Sequence, residues 1–227
     1  MLYKSQIITQ GSGSVNGLVY SHNRGGNYTR MRKTPVNPAT TRQEVVRGLM
    51  GLNSNAWVNS LTAAERTTWD TYAFNVPLTG PLGDPRNVGG LGMYQRSNIP
   101  RSQAGLSAVT LAPTIWDTGN PPFVFVPTYD ASAGTVSVAF GITEQWYTAP
   151  GSLLFYMSRP QNATINFYKG PWRFVGAITP PDLSPQVFGP PLPYTVQAGQ
   201  VVFTRYRATY DDGRLTQAQV NRSVVVA

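Results

Sequence analysis

The sequence predicts a mainly β protein with a small helical part, laid out as an extended N-terminal arm, a helical hairpin and a C-terminal β-sandwich. Three observations lead there. Gly and Pro together supply 41 of the 227 residues. That is more than a mostly helical chain tolerates, because Gly raises the entropy cost of ordering and Pro removes a backbone donor. Two helix-start signatures stand at Thr41 and Thr62. From Pro122 onward, β-rich runs alternate with turn signals. The aromatic load of 12 Tyr, 9 Phe and 5 Trp excludes a disordered chain, since large rings bury enough area to offset ordering entropy.

Residues 1–39 read as an extended basic arm. Residues 3–9 carry Ile7 and Ile8, and Gly11-Ser12-Gly13-Ser14 breaks the run. Asn16-Gly17 is a hairpin turn signal, because both residue types accept a left-handed backbone. A second turn is expected over residues 21–26. Residues 27–33 then alternate Tyr28, Arg30 and Arg32 against Thr29, Met31 and Lys33. A strand with two polar faces is weakly anchored alone and needs a neighbour. Thr34-Pro35-Val36-Asn37-Pro38 stops it, since proline cannot donate to a ladder.

Residues 40–98 read as a helical hairpin region. Thr41-Arg42-Gln43-Glu44 fits a capping box, in which the hydroxyl caps free amides and the acid reaches back. The helix it opens carries Val45, Val46, Leu49, Met50 and Leu52 on a helical stripe. Gly48 and Gly51 weaken it by roughly 1 kcal/mol each against Ala. The expectation is a helix that packs by close backbone approach on a partner surface. Thr62-Ala63-Ala64-Glu65 is a second box, and its helix runs to about Phe74 with Trp69, Tyr72 and Ala73 at helical spacing. The two helices are expected to pair through an aromatic inner face. A structural core accounts for these rings better than a cofactor box does. Residues 75–92 read as a Pro/Gly-rich loop, followed by a short helix through Met93, Tyr94 and Arg96. Gly90 and Gly92 do not make a phosphate loop, because no strand precedes them and no Gly-Lys-Ser/Thr follows. Residues 99–122, with Pro100, Pro113, Pro121 and Pro122, read as a linker or a wrapping extension.

Residues 123–227 read as the sandwich. Strands are expected over residues 123–126, 135–140, 153–158, 172–178, 201–210 and 217–226, with turn residues between them. Residues 135–140 alternate with period two, so one face is buried and one is wet. Six or seven short strands over this length is the count of an immunoglobulin-like sandwich.

Two resemblances add to this reading. The run Phe203-Thr204-Arg205-Tyr206-Arg207-Ala208-Thr209-Tyr210-Asp211-Asp212-Gly213-Arg214-Leu215-Thr216 resembles the last hairpin of a fibronectin type III domain. There an aromatic strand ends in Ala, an acidic-Gly turn and a Ser/Thr. Trp146 and Trp172 are the candidates for that fold's early-strand Trp. The resemblance implies a binding or spacing module and names no ligand. The N-terminal part is similar to uncharacterised proteins of tailed phages and prophages. The residues that carry this are Gly17 through Arg32, Pro35-Val36-Asn37-Pro38, Gln43, Val46-Arg47, Trp57, Leu61-Thr62, Arg66, Trp69, Tyr72-Ala73 and Tyr94. The implied role is that of a virion structural component.

The net charge of +8 is uneven. Residues 1–107 hold 11 basic and 4 acidic residues, and residues 108–227 hold 7 and 6. Residues 1–43 contain six basic residues and no acid. Such an arm is drawn to polyanions or to an acidic protein surface. It lacks the dense Arg/Lys block of a genome-binding tail. Its cations are interleaved with Gly, Tyr and Thr, which suits pairing along another protein's sheet edge. The expected partner-binding residues are Tyr20, His22, Arg24, Tyr28, Arg30, Arg32 and Lys33.

Catalytic signals are weak. There is no Cys, so thiolate chemistry is excluded. His22 is the only His, and no carboxylate lies within 20 residues of it to orient the ring. Asp130, Glu144 and Asp182 form no recognisable pair. Asp211-Asp212 before Gly213 is turn chemistry. No apolar run is long enough for a spanning helix, and Met1-Leu2-Tyr3-Lys4 opens without an apolar signal-peptide core. No catalysis, cofactor, metal or membrane is therefore expected. The sequence reading is a non-enzymatic phage virion protein, placed as capsid decoration, minor capsid or neck/tail component. Its expected partners are other virion proteins, namely the major capsid protein or further copies of the chain. The alternatives are nucleic-acid binding through the arm, or glycan binding through Trp146-Tyr147, Tyr156 and Phe167-Tyr168-Lys169.

Overall fold

The computed structural model describes residues 12–23, 26–79, 84–149 and 151–227. The chain is mainly β and divides into two compact units, Met1–Glu44 and Val45–Ala227.

In the first unit, β1 (Gly13–Val15), β2 (Leu18–Asn23) and β3 (Gly26–Met31) form an antiparallel sheet in that order. Asn16-Gly17 makes the expected turn: Asn16 has φ 51° and Val15 pairs with Leu18. Asn23 pairs with Gly26, and Arg24-Gly25 of the expected second turn lie outside the described residues. The expected run over residues 3–9 and the start of the break at Gly11 lie outside them too. None of residues 12–22 or 27–44 is buried.

α1 (Thr41–Asn59) opens one residue away from the expected box. The Thr40 amide donates to Gln43 Oε1 (3.3 Å), so Thr40-x-x-Gln43 frames the start. α2 (Ala63–Asn75) begins as expected. Thr62 Oγ1 accepts from the Glu65 amide (3.3 Å), and Glu65 Oε2 accepts from the Thr62 amide (2.7 Å). A two-stranded ribbon of β4 (Leu78–Thr79) and β5 (Pro85–Arg86) interrupts the expected loop. It leads to α3 (Gly89–Gln103), which is longer than the sequence suggests.

The helical pairing differs from expectation: α2 packs along α3, not along α1. The local cause is Gly90, whose amide donates to Asp70 Oδ1 (3.1 Å); any Cβ there would collide with Asp70. Trp69 and Tyr94 meet edge to face at 5.4 Å. α1 reaches this small core through Ala56 and Trp57. At Gly48 and Gly51 a Cβ would meet open space, so neither is used for close approach among the described residues.

Of the two readings for residues 99–122, the wrapping extension holds and the free linker does not: they begin inside α3 and continue as a strap. Trp69 Nε1 donates to Thr110 O (2.7 Å), Tyr72 OH to Asp117 O (2.6 Å) and Asn98 Nδ2 to Val109 O (3.1 Å). Backbone carbonyls that lie on no ladder are thus satisfied by buried side chains.

The β part contains β6 (Phe125–Asp130), β7 (Thr135–Phe140), the single-turn α4 (Gln145–Thr148), β8 (Ser152–Met157), β9 (Arg173–Ile178), β10 (Gln186–Phe188), β11 (Val201–Thr209) and β12 (Gln219–Val224). Two antiparallel sheets result, ordered β10-β7-β6 and β12-β11-β8-β9. They share one core: Tyr129, Val136 and Val138 from the first sheet, with Leu153, Phe155 and Val202 from the second. β7 buries every second residue, as its alternation requires. β10, only three residues after Pro185, escaped the sequence reading. Trp146 enters the core from α4, whereas Trp172 is half-buried beside Tyr168.

The helical and β parts meet at the turn between β11 and β12. Arg96 donates to Leu215 O (2.8 Å), and Arg101 donates to Tyr210 O. Arg214 pairs with both Asp117 and Asp212 at 2.7 Å. Gly213 supplies the left-handed backbone of that turn (φ 93°). The acidic-Gly signal therefore serves as hairpin chemistry and as the joint of the second unit.

Candidate functional site

The basic arm becomes a sheet whose partner-binding candidates fall on two faces. Cross-strand pairing puts Tyr20 opposite Thr29 and His22 opposite Asn27 on one face, and Val19 opposite Arg30 on the other. Tyr28, two residues before Arg30, shares Arg30's face. The chain continues straight after β3, because the Arg32 amide donates to Gly17 O (2.8 Å). Arg30, Arg32, Lys33 and Val19 then line a groove of about 490 Å³ with residues 34–36. The structure thus gathers three of the seven candidates, keeps Tyr28 beside them, and sends Tyr20 and His22 to the opposite face. Arg24 lies outside the described residues.

Among the described residues β3 pairs with β2. Arg30, Arg32 and Lys33 are all exposed, and the first acid of the chain is Glu44. The groove is therefore a positive surface, suited to carboxylate or phosphate groups.

The carboxylates of the β part have structural partners. Glu144 accepts from the Phe123 and Val124 amides and from Trp146 Nε1. Asp130 accepts from Ser132 and Ala133, and Asp182 from the Thr179 amide. Among the described residues no group of three His, Cys, Asp or Glu could hold a metal ion. No helix is long and apolar enough to cross a membrane, again among those residues. Of the aromatic platform candidates, Trp146 is buried and Tyr147 donates to Asp182 O (2.8 Å), while Phe167 is exposed.

The sequence reading passed over a second concentration of cations, Arg96, Arg205 and Arg207 in the second unit. Its one local signal is the spacing of Arg205 and Arg207, which puts two arginines on one face of a strand. Arg96 is more than a hundred residues away and gives no such signal. No family model matches the chain, and neither a curated protein nor a solved structure shows significant similarity to it.

Proposed function

We propose that the protein is a non-enzymatic structural component of a phage particle that docks on neighbouring virion proteins through its N-terminal sheet. The single observation behind this reading is that none of residues 12–22 and 27–31, the described part of the sheet, is buried. Three short strands without an apolar face are not stable alone in water. Val15, Leu18 and Met31 stay exposed beside the acid-free β3. Such a sheet gains order by packing on another protein and by pairing Arg30, Arg32 and Lys33 with acidic groups there. The particle as the setting rests on the resemblance of residues 17–94 to phage and prophage proteins. The seven strands β6–β12 around one core support an immunoglobulin-like reading of the C-terminal part, which would project from the particle or cover a seam.

Deleting residues 1–36 abolishes incorporation into particles under this reading, and unchanged incorporation overturns it. The acid-free groove also suits phosphates, which makes nucleic acid the second reading. That reading requires affinity for DNA or RNA that falls steeply as salt rises.

A further inference from the structure

A cavity of about 470 Å³ opens between the α3 side of the second unit and the outer face of β11. Arg96 of α3 and Arg205 and Arg207 of β11 line it together with Thr79, Thr216 and Gln217. No acid lines it, and none of the three arginines takes part in an ion pair among the described residues. On β11, Val202, Tyr206 and Ala208 face the apolar core, so the alternation throws Arg205 and Arg207 to the opposite side.

Two of the three guanidiniums, those of Arg96 and Arg207, are held in place. Arg96 donates to Leu215 O (2.8 Å). Arg207 lies over the ring of Tyr156 (5.7 Å) and donates to its hydroxyl (3.3 Å), which in turn donates to Gln103 Oε1 (3.2 Å). Arg207 Nε is buried and has no hydrogen-bond partner. A buried donor on a cation, left unpaired, costs stability. Burial pulls Arg96 and Arg205 below the ordinary guanidinium pKa, and the like charge of Arg207 adds to the effect in both.

We propose that Arg96, Arg205 and Arg207 form a binding site for a phosphate group, free or carried on a small ester. A single carboxylate offsets one of three cations. A phosphate brings about two negative charges at neutral pH, and its oxygens match the fork of each guanidinium. The cavity has room for a small organic group beside the phosphate, and Thr79 and Gln217 offer neutral polar contacts. The site belongs to the second unit and stands apart from the docking reading of the arm.

The test is calorimetric titration of the full chain with inorganic phosphate and with glycerol phosphate, at constant ionic strength. Binding of either probe supports the site if Arg205→Gln weakens it roughly tenfold to hundredfold while Arg222→Gln leaves it unchanged. The tighter probe identifies the source of the phosphate. Because Arg205→Gln could disturb β11, the Nε–H resonance of Arg207 in the unmodified protein is followed as well, and it shifts with the same saturation curve. Absence of binding by both probes overturns the proposal, as does equal weakening in Arg222→Gln. Acetate binding as tightly as phosphate overturns the choice of ligand. A single-stranded oligonucleotide that binds through Arg205 when neither small probe does overturns it in favour of a nucleic-acid groove.

Discussion

Arg214 shows how one residue can join two parts of a chain. Its side chain is only 5% exposed, yet it keeps its charge, because Asp117 and Asp212 each lie at 2.7 Å and the Tyr210 ring lies beneath it at 4.9 Å. Burial opposes that charge, and the two carboxylates outweigh burial, leaving the guanidinium pKa above its ordinary value. The Arg214 hydrogen bond in turn holds Asp117 below its ordinary 3.8, helped by the Gly119 amide. An acid whose pKa is lower in the folded state adds stability that is complete above 3.8 and is lost as pH falls through the folded value. The urea midpoint therefore drops below pH 3.8, and Asp117→Asn makes the drop shallower. Asp117 is 56% exposed, so at neutral pH that variant costs only about 0.2–1 kcal/mol. Arg214→Ala loses both pairs and the ring contact, and costs about 2–3 kcal/mol. Equal losses from the two variants would refute the role given to Arg214.

At the scale of elements, α1 and α3 exchange the roles that their glycines suggest. Gly48 lies mid-helix with open space where a Cβ would stand, so Gly48→Ala reduces the entropy lost on folding and stabilises the chain by about 1 kcal/mol. A lower urea midpoint for that variant would mean that another part of the chain approaches the helix there. Gly90 is the glycine that close approach demands, since Asp70 of α2 occupies the space a side chain would need. Helical periodicity shows which face of an element is apolar, but not which element covers it. The box at Thr62, the turn at Asn16-Gly17 and the alternation of β7 were legible because the partner in each lies within a few residues. The α2–α3 pairing, the contacts that anchor the strap over residues 106–122 and the arginine cavity were not. Their partners lie far apart in sequence, as with Trp69 and Thr110 or Arg96 and Arg207. Proline count alone reads the strap as a spacer, because nothing local reveals that its carbonyls accept from Trp69 and Tyr72.

At the scale of the molecule, the two units contrast in what holds them. Residues 12–22 and 27–44 bury nothing, whereas the second unit has two apolar cores, one around Trp69 and one around Phe155. Those two cores could unfold separately if only a chain connection joined them. The joint is more than that: Arg96, Arg101 and Arg214 all bond at the turn between β11 and β12, and Tyr210 OH donates to Asn120 O (2.8 Å) at the end of the strap. Several charged hydrogen bonds of about 1.5–3 kcal/mol each would be lost if either core opened first, so the second unit unfolds in one cooperative step. Trp69 reports the helical core and Trp146 the β core. With fluorine-labelled tryptophan, the two native resonances disappear at the same urea concentration, and deleting residues 1–36 leaves that concentration unchanged. Separate midpoints for Trp69 and Trp146 would mean that the joint is too weak to couple the cores, and that the helical part and the β part are distinct folding units after all.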